Sequence, residues 1–385
     1  MVHPKQFVEV LGKSGISFFT GVPDSLLKDF LAYMEDKVPA ADRITAANEG
    51  NAIAIATGYH LATGGIAGVY MQNSGLGNAV NPLTSLADKE VYAIPILLII
   101  GWRGEPEVKD EPQHIKQGRI TPSLLETLEI PYAVITSKMN TTKVSALIAR
   151  MSNRARRENR PTALVIRSGV FEAHTVLAKM LALPLSREDA IDIVLGSMNN
   201  DDIVVSTTGK ISRELYESRK RRGDGSEKDF LTVGSMGHAS QIALGIAHQK
   251  KDRQVYCLDG DGATIMHMGG LATAGWVHPK NFKHVVLNNL AYESVGGQLS
   301  AAGVIDIVTI AKASGYALAL MAKNKNELTS ALAKLKKQEG PVFLEIKVNL
   351  ESRKDLGRPK ESPIENKKKF MSFVALWPTP CQDYG

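Results

Sequence analysis

The sequence predicts an α/β protein made of two doubly wound parallel sheets. Short runs of Val, Ile and Leu alternate with helical patterns along the chain. Uninterrupted apolar runs are typical of parallel strands that are covered on both faces, and strand–helix alternation is typical of a doubly wound sheet. A chain of 385 residues is long enough for about two domains, so we assign one sheet to each half.

Each strand is predicted from one apolar run. In the first half, strands are predicted at residues 16–21, 43–47, 66–71, 93–100, 132–135 and 163–167. In the second half, they are predicted at residues 202–206, 230–233, 254–258, 284–289, 316–320 and 342–346. Between the halves, Pro184 interrupts the pattern, and the segment from Ser186 to Asp189 has the cap and early acidic residues of a helix start. We therefore expect the two domains to join close to this segment.

The composition favours a cytoplasmic protein without a membrane segment. The longest apolar run, residues 91–100, is far shorter than the roughly 20 residues of a membrane-spanning helix. Residues 1–15 lack the apolar core of a secretory signal, and two cysteines, Cys257 and Cys381, are too few for a disulfide framework.

The net charge of +6 at pH 7 could indicate nucleic-acid binding, but the basic clusters do not favour it. The densest basic clusters, residues 154–160 and 218–225, contain no aromatic side chains for base stacking and fall where helices are expected to end. Solvated helix ends explain such clusters. A mildly positive field would also help an anionic small substrate to arrive, so the charge is compatible with an enzyme of acidic metabolites.

Two polar signals follow neighbouring predicted strands of the second half. Gly260, Asp261 and Gly262 come after one strand, and Asn288 and Asn289 end the next. Ligands of open parallel sheets bind at the carboxyl ends of the strands. Glycines let the backbone approach a phosphate, while carboxylate and amide oxygens suit Mg²⁺ beside phosphate oxygens. The pattern therefore predicts a site for Mg²⁺ and a diphosphate.

An EF-hand loop and a dinucleotide fingerprint both fit the Gly-Asp-Gly segment less well than a diphosphate site does. An EF-hand loop that began at Asp259 would need glutamate at its twelfth position, where Gly270 stands. No G-x-G-x-x-G dinucleotide fingerprint is present here. A plain β-turn is the default for an isolated Gly-Asp-Gly, but the paired asparagines after the next strand favour a ligand site.

Gly-Asp-Gly followed by Asn-Asn at this distance is the pattern of thiamine diphosphate enzymes, and the sequence resembles that superfamily over about residues 1–350. The resemblance implies a pyrimidine-binding domain at residues 1–180 and a diphosphate-binding domain at 186–350. Residues 351–385 form a tail rich in Lys, Glu and Pro, which we expect to be poorly ordered.

The resemblance also implies roles for the polar signals. Gly260, Asp261 and Gly262 would bind the diphosphate. Mg²⁺ would be held by Asp261, Asn289 and the backbone carbonyl of Ala291.

Two further family requirements have candidates in this sequence. Glu49 follows the second strand, and the resemblance implies that it bonds nitrogen N1′ of the aminopyrimidine as a proton relay. Its alternative role is a helix N-terminal acid that the macrodipole favours. Gly234, Ser235 and Met236 would contact the bent cofactor, with Met236 between its two rings and the Gly234 carbonyl accepting from the 4′-amino group. Simple core filling is the alternative for the methionine.

Four loop-bearing stretches resemble the phosphonopyruvate decarboxylases, with the sulfopyruvate decarboxylases as near neighbours. These stretches are residues 18–30, 71–88, 99–119 and 206–217. The substrate-binding candidates within them are Asp24, Ser25, Gln113 and His114. Arg103, Lys109 and Lys116 are further candidates that would supply positive charge to an anion, although many loop charges are merely solvated. Asp24 and Ser25 also suit a helix cap.

The activity implied by the resemblance is the decarboxylation of 3-phosphonopyruvate to phosphonoacetaldehyde and CO₂, with thiamine diphosphate and Mg²⁺, in phosphonate biosynthesis. Sulfopyruvate decarboxylation, another thiamine diphosphate-dependent 2-oxoacid reaction and a non-enzymatic binding protein are the alternatives, the last of which would need a broken cofactor site. The family further implies a homo-oligomer, at least a dimer, whose sites form between the pyrimidine-binding domain of one subunit and the diphosphate-binding domain of another.

Overall fold

The structure is a computed structural model, which describes residues 1–174, 183–295, 297–350, 352–353 and 355–375. The chain divides into two compact units, Met1–Ala178 with Tyr292–Gln298 and Lys179–Ala291 with Leu299–Gly385. The domain limits 1–180 and 186–350 stay predictions, and the expected join falls partly outside the described residues. Among the helices that are described, none combines the length and the apolar character needed to cross a membrane.

The first unit contains a six-stranded sheet in the order β2-β1-β3-β4-β6-β5, and all the pairings between these strands are parallel. Its strands are β1 (Phe18–Gly21), β2 (Arg43–Thr45), β3 (Ala67–Gln72), β4 (Ile96–Gly101), β5 (Tyr132–Ile135) and β6 (Thr162–Ile166). The strand order reverses between β1 and β3. In an open parallel sheet, the carboxyl ends of the strands beside such a reversal form the usual ligand crevice.

Helices cover both faces of this sheet. They are α1 (Pro4–Lys13), α2 (Lys28–Lys37), α3 (Glu49–Thr63), α4 (Leu76–Ser85), α5 (Pro112–Thr127) and α6 (Thr141–Glu158). On β4, Leu97 and Ile99 pack in a core with α1, α2 and α6, whereas Leu98 and Ile100 pack in a second core with α3, α4 and α5. Because successive strand residues face opposite sides and both sides are buried, the strand has an uninterrupted apolar sequence.

The second unit repeats this design with a parallel sheet in the order β13-β14-β10-β9-β7-β8. Its strands are β7 (Ile203–Ser206), β8 (Asp229–Leu231), β9 (Val255–Gly260), β10 (Phe282–Asn288), β13 (Leu318–Ala322) and β14 (Val342–Lys347). Two very short strands, β11 (Ala291–Tyr292) and β12 (Gln298–Leu299), pair with each other and were not predicted. The fold class, two doubly wound parallel sheets, is confirmed. Each predicted strand forms, β5 with the predicted bounds and the others with ends shifted by up to three residues.

The helices of the second unit include one in the expected tail. They are α7 (Arg187–Ser197), α8 (Lys210–Arg222), α9 (Ala239–Gln249), α10 (Asp261–Met266), α11 (Gly269–Val277), α12 (Ile307–Ala313), α13 (Lys325–Lys337) and α14 (Pro363–Ala375). The expectation of poor order is therefore wrong for residues 363–375. The final segment, residues 376–385 with Cys381, lies outside the described residues.

Helix α14 is ordered because it supplies partners to an edge strand. β8 lies at the edge of the sheet, where backbone groups lack a neighbouring strand. The buried Asn366 donates from Nδ2 to the carbonyl of Asp229 over 2.9 Å and accepts from the N–H of Leu231 over 3.1 Å. The rings of Phe230 and Phe370 lie 5.6 Å apart beside this contact. The amide of Asn366 thus replaces part of the missing strand.

Asn366→Ala should lower the stability of the second unit, because two buried backbone groups of β8 would lose their partner. The expected loss is about 1–3 kcal/mol, the usual cost of unsatisfied buried polar groups. Urea unfolding followed by circular dichroism measures it. Lys367→Ala, at the next and exposed position of the same helix, is the control. Equal stability of the two variants would show that the Asn366 contacts contribute nothing.

Candidate active site

Glu49 begins α3 directly after β2. Asn48 caps this helix, since its side chain accepts a 2.9 Å hydrogen bond from the backbone N–H of Asn51. The Glu49 residue is 6% exposed, and its Oε2 accepts a 2.8 Å hydrogen bond from Nδ2 of Asn78 on α4. Because α3 and α4 pack in the same core, this bond fixes the carboxylate near the start of both helices.

Gly75, immediately before α4, makes room for the Glu49 side chain. A Cβ atom built on Gly75 would lie 2.5 Å from Cγ of Glu49, inside the distance that real Cβ contacts show. Any larger residue at this position would displace the carboxylate from Asn78.

Asp24 follows β1 and is fully buried. Its Oδ1 accepts a 2.8 Å hydrogen bond from Nε2 of Gln72 at the end of β3. Among the described residues Oδ2 has no hydrogen-bond partner, and it packs against Gly101 at the end of β4, where a Cβ would overlap the carboxylate. Burial raises the pKa of Asp24, although Gln72 and Arg103 act in the opposite direction. The carboxyl therefore keeps its proton to a higher pH than an exposed aspartate does.

Arg103 follows β4 and is held by Asp110. Its Nε and Nη2 donate to the two carboxylate oxygens of Asp110 over 2.8 and 2.5 Å, and its Nη1 donates to Oγ of Ser25 over 2.9 Å. Burial acts to raise the pKa of Asp110, but the hydrogen bonds from Arg103 and nearby backbone amides hold it well below its ordinary value. The ion pair is therefore maintained across the neutral pH range.

Gln113 and His114 lie in the first turn of α5, and both are half-buried. Nδ1 of His114 is buried without a hydrogen-bond partner in the described part of the chain. Burial and the positive charge of Arg103 lower the pKa of His114. Lys109 and Lys116 are exposed. Three of the four substrate-binding candidates thus interact with Arg103. Ser25 accepts a hydrogen bond from it. Burial raises the pKa of Asp24 and lowers that of His114, and the charge of Arg103 acts to lower both.

In the second unit, β9 ends at Gly260 and α10 begins at Asp261. Asp261 is 4% exposed, and its Oδ2 accepts a hydrogen bond from Oγ of Ser300. Burial raises the pKa of Asp261 to about 6, against the effect of Ser300. Gly262 is buried beside it. A carboxylate in such surroundings is stabilised by a cation that binds close to it.

The chain turns sharply where β10 ends at Asn288. Oδ1 of Asn288 accepts from the N–H of Leu290 over 2.9 Å, and its Nδ2 donates to Glu345 on β14 over 2.6 Å. Leu290 has a left-handed φ of 63°. Oδ1 of Asn289 accepts from the N–H of Ala291 over 3.2 Å, and both residues are buried. Asn288 therefore shapes the turn that sets Asn289 and Ala291 at the strand end.

Asp261 and Asn289 follow adjacent strands, because β9 and β10 are paired in parallel. The loop between β8 and α9 contains Gly234, Ser235 and Met236. Ser235 has a φ of 55°, and its Oγ lies 3.1 Å from Nδ1 of His238. Met236 is half-buried, so part of its side chain is accessible.

Two family models match the chain, one in each half. The model described as thiamine pyrophosphate enzyme, N-terminal TPP binding domain, matches residues 3–123, and that described as thiamine pyrophosphate enzyme, C-terminal TPP binding domain, matches residues 208–346. The phosphonopyruvate decarboxylase of Streptomyces viridochromogenes is 35% identical over 98% of this chain and 96% of its own length. That of Streptomyces hygroscopicus is 34% identical over 100% and 97%.

The chain belongs to the phosphonopyruvate decarboxylase family of thiamine pyrophosphate enzymes. The predicted resemblance is thus confirmed, and so are a decarboxylase activity and thiamine diphosphate as the cofactor. A sulfopyruvate decarboxylase of Methanosarcina acetivorans is also similar, 29% identical over 90% of this chain and 91% of its own. The family therefore has neighbours with a related substrate.

The residues that hold the candidate side chains were not predicted from the sequence. Asn78 and Gly75 fix Glu49, Asp110 fixes Arg103, and Ser300 contacts Asp261. None of these partners belongs to a motif with a recognised chemical role. One signal was available for Asp110, since an acidic residue in a polar loop close to an arginine suits a local ion pair.

Proposed function

We propose that this member of the family decarboxylates 3-phosphonopyruvate to phosphonoacetaldehyde and CO₂. The observation that carries this proposal is the similarity, over almost the whole of both chains, to two proteins named phosphonopyruvate decarboxylase. We also propose a role in phosphonate biosynthesis, because the product keeps its carbon–phosphorus bond. Sulfopyruvate decarboxylation is the second candidate, supported by the weaker similarity to a sulfopyruvate decarboxylase.

Asp261, Asn289 and the carbonyl of Ala291 would hold Mg²⁺. They offer hard oxygen ligands at neighbouring strand ends, which Mg²⁺ prefers beside phosphate oxygens. The buried carboxylate of Asp261 fits this role, because burial has already raised its pKa to about 6 and a bound cation would stabilise its charged form. Gly260 and Gly262 have no side chain that would obstruct the approach of a diphosphate to the backbone.

The aminopyrimidine end would be held by Glu49 and by the loop of Gly234, Ser235 and Met236. Asn78 donates to Oε2 of Glu49, so we assign Oε1 to the proton that is shared with nitrogen N1′. Glu49 would then hold and return this proton as the pyrimidine changes tautomer. Met236 would support the bend of the cofactor, and the Gly234 carbonyl would accept from the 4′-amino group. When bound, thiamine diphosphate supplies the electron sink for decarboxylation.

The substrate would be bound by Asp24, Ser25, Gln113 and His114. Asp24 is suited to donate a hydrogen bond, because its buried carboxyl keeps a proton to a raised pH. Ser25 accepts a hydrogen bond from Arg103, and burial together with the charge of Arg103 lowers the pKa of His114, so both residues lie near this guanidinium. The net charge of +6 favours the approach of an anionic substrate of this kind.

The active protein would be a homo-oligomer, at least a dimer. In this arrangement, the first unit of one copy and the second unit of another copy bind the two ends of one cofactor. A dimer with two-fold symmetry contains two equivalent sites.

Parallel assays test the proposed substrate. The protein, loaded with thiamine diphosphate and Mg²⁺, should release CO₂ from phosphonopyruvate without an added acceptor or oxidant, and with a higher kcat/KM than from sulfopyruvate or pyruvate. An acyl-transferring or oxidative enzyme would instead need the acceptor or oxidant. A higher kcat/KM for sulfopyruvate would show that the protein is a sulfopyruvate decarboxylase, the second candidate.

Asp261→Asn should weaken binding of the cofactor, because the variant keeps the shape of the side chain but loses the charged metal ligand. We expect the affinity for thiamine diphosphate in the presence of Mg²⁺ to fall by at least roughly 10²-fold, because even the loss of an outer-shell partner of a metal ligand lowers metal affinity by about 10- to 100-fold. Calorimetry measures the affinity, with the exposed Asp252→Asn as control. Unchanged affinity in Asp261→Asn would remove this residue from the metal site.

Gly75→Ala should reproduce the effect of Glu49→Gln. The first variant displaces the Glu49 carboxylate and the second removes its exchangeable proton, so both should slow exchange of the cofactor C2 proton by roughly 10² to 10⁴, as expected for general acid–base catalysis. NMR measures this exchange on the bound cofactor.

Gly77→Ala is the matched control for Gly75→Ala. A Cβ at Gly77 would meet no other atom within 4 Å, so exchange should stay at the wild-type rate. If Gly75→Ala and Glu49→Gln also exchange at that rate, Glu49 is a structural helix acid and the proposed proton relay is wrong.

A further inference from the structure

Arg103 has hydrogen-bond donors that its protein partners do not use. A guanidinium group has five N–H donors in a planar fork. Asp110 takes one from Nε and one from Nη2, and Ser25 takes one from Nη1. Among the described residues, one N–H on each terminal nitrogen is therefore left, and both lie in the plane of the guanidinium.

The guanidinium is held in one orientation before any ligand binds. Besides its bidentate contact with Asp110, the backbone of Arg103 is fixed at both polar groups by Asn73, which accepts from the N–H over 3.0 Å and donates to the carbonyl over 2.9 Å. Asn73 is buried and also donates to Oγ1 of Thr121 on α5 over 2.9 Å. The Arg103 side chain is 20% exposed, so it is both supported and accessible.

Two buried polar atoms close to Arg103 also lack partners among the described residues. They are Oδ2 of Asp24 and Nδ1 of His114. Both residues experience the charge of Arg103. Unpartnered buried polar atoms are rare in folded proteins and indicate a ligand or another missing partner. They therefore point to a polar ligand in this part of the first unit.

We propose that Arg103 binds the phosphonate group of the substrate through its two remaining N–H donors, and that Asp110 is a positioning residue that holds the guanidinium plane. This inference rests on the proposed function and names the residue that distinguishes phosphonopyruvate from 2-oxoacids without an anionic tail. Arginine suits this task better than lysine because its fork matches two oxygens of a tetrahedral anion. Asp110 faces the Nε edge, away from the two remaining donors.

Arg103→Lys tests the assignment, because it keeps the charge and removes the fork. In the protein loaded with thiamine diphosphate and Mg²⁺, we expect kcat/KM for phosphonopyruvate to fall by about 10- to 10²-fold, mainly through KM, as for the loss of a hydrogen bond to a charged group. Inhibition by methylphosphonate, which carries only the phosphonate group of the substrate, should weaken by a similar factor. Competition by pyruvate, which lacks the tail, should change by less than about twofold.

Arg167→Lys is the matched control. Arg167 also donates from Nε to a loop carboxylate, that of Glu105, over 2.7 Å. This variant should keep the wild-type constants for phosphonopyruvate, methylphosphonate and pyruvate. The comparison separates loss of an anion receptor from loss of an arginine–carboxylate pair, because Glu105 lies in the same loop as Arg103.

The proposal would be overturned if Arg103→Lys weakened the binding of pyruvate and of methylphosphonate equally, or changed the binding of neither. If circular dichroism shows that this variant is unfolded, modification of wild-type arginines by phenylglyoxal gives the answer by mass spectrometry. Methylphosphonate should then protect Arg103 and leave Arg167 reactive, and absence of this selective protection overturns the proposal. Failure of the wild-type protein to decarboxylate phosphonopyruvate is a separate result, which would contradict the proposed function itself.

Discussion

Burial of single carboxylates at the ends of parallel strands is the constraint on which the candidate site depends. A buried charge is costly unless neighbouring groups stabilise it. Glu49 and Asp261 each accept a hydrogen bond from a neutral side chain, Asn78 and Ser300 respectively. These donors fix the position of each carboxylate without neutralising its charge. Each acid can therefore still act on a proton or a cation, which an ion pair with arginine or lysine would prevent.

The sheets explain why the chemistry lies at strand ends. Both faces of β4 are filled by apolar cores, so polar ligands have no access along the body of the sheet. Around the end of β4, Gly101 leaves space for Asp24, and Arg103 follows directly with its partner Asp110. The first unit thus places a buried acid with a raised pKa close to a charged donor.

The fold was largely predictable because it depends on local patterns. Apolar runs located the strands, and the Gly-Asp-Gly and Asn-Asn signals located Asp261 and Asn289 at adjacent strand ends. The partners of these residues were not predictable, because Ser300 meets Asp261 and Asn78 meets Glu49 only after the chain has folded. Helix α14 was missed for the same reason. Its composition is typical of a disordered tail, but Asn366 finds its partners on the distant edge strand β8.

We propose that Glu49 and Asp261 serve one cofactor from two copies of the chain, and mixing of inactive subunits is the sharpest test of this arrangement. Glu49→Gln and Asp261→Asn subunits, co-expressed with different tags, form mixed dimers in which one site carries both substitutions and the other carries neither. We expect a random mixture to regain about a quarter of wild-type decarboxylation, since half of its dimers then contain one intact site of two. Purified mixed dimers that remain as inactive as the parent variants would contradict the proposal.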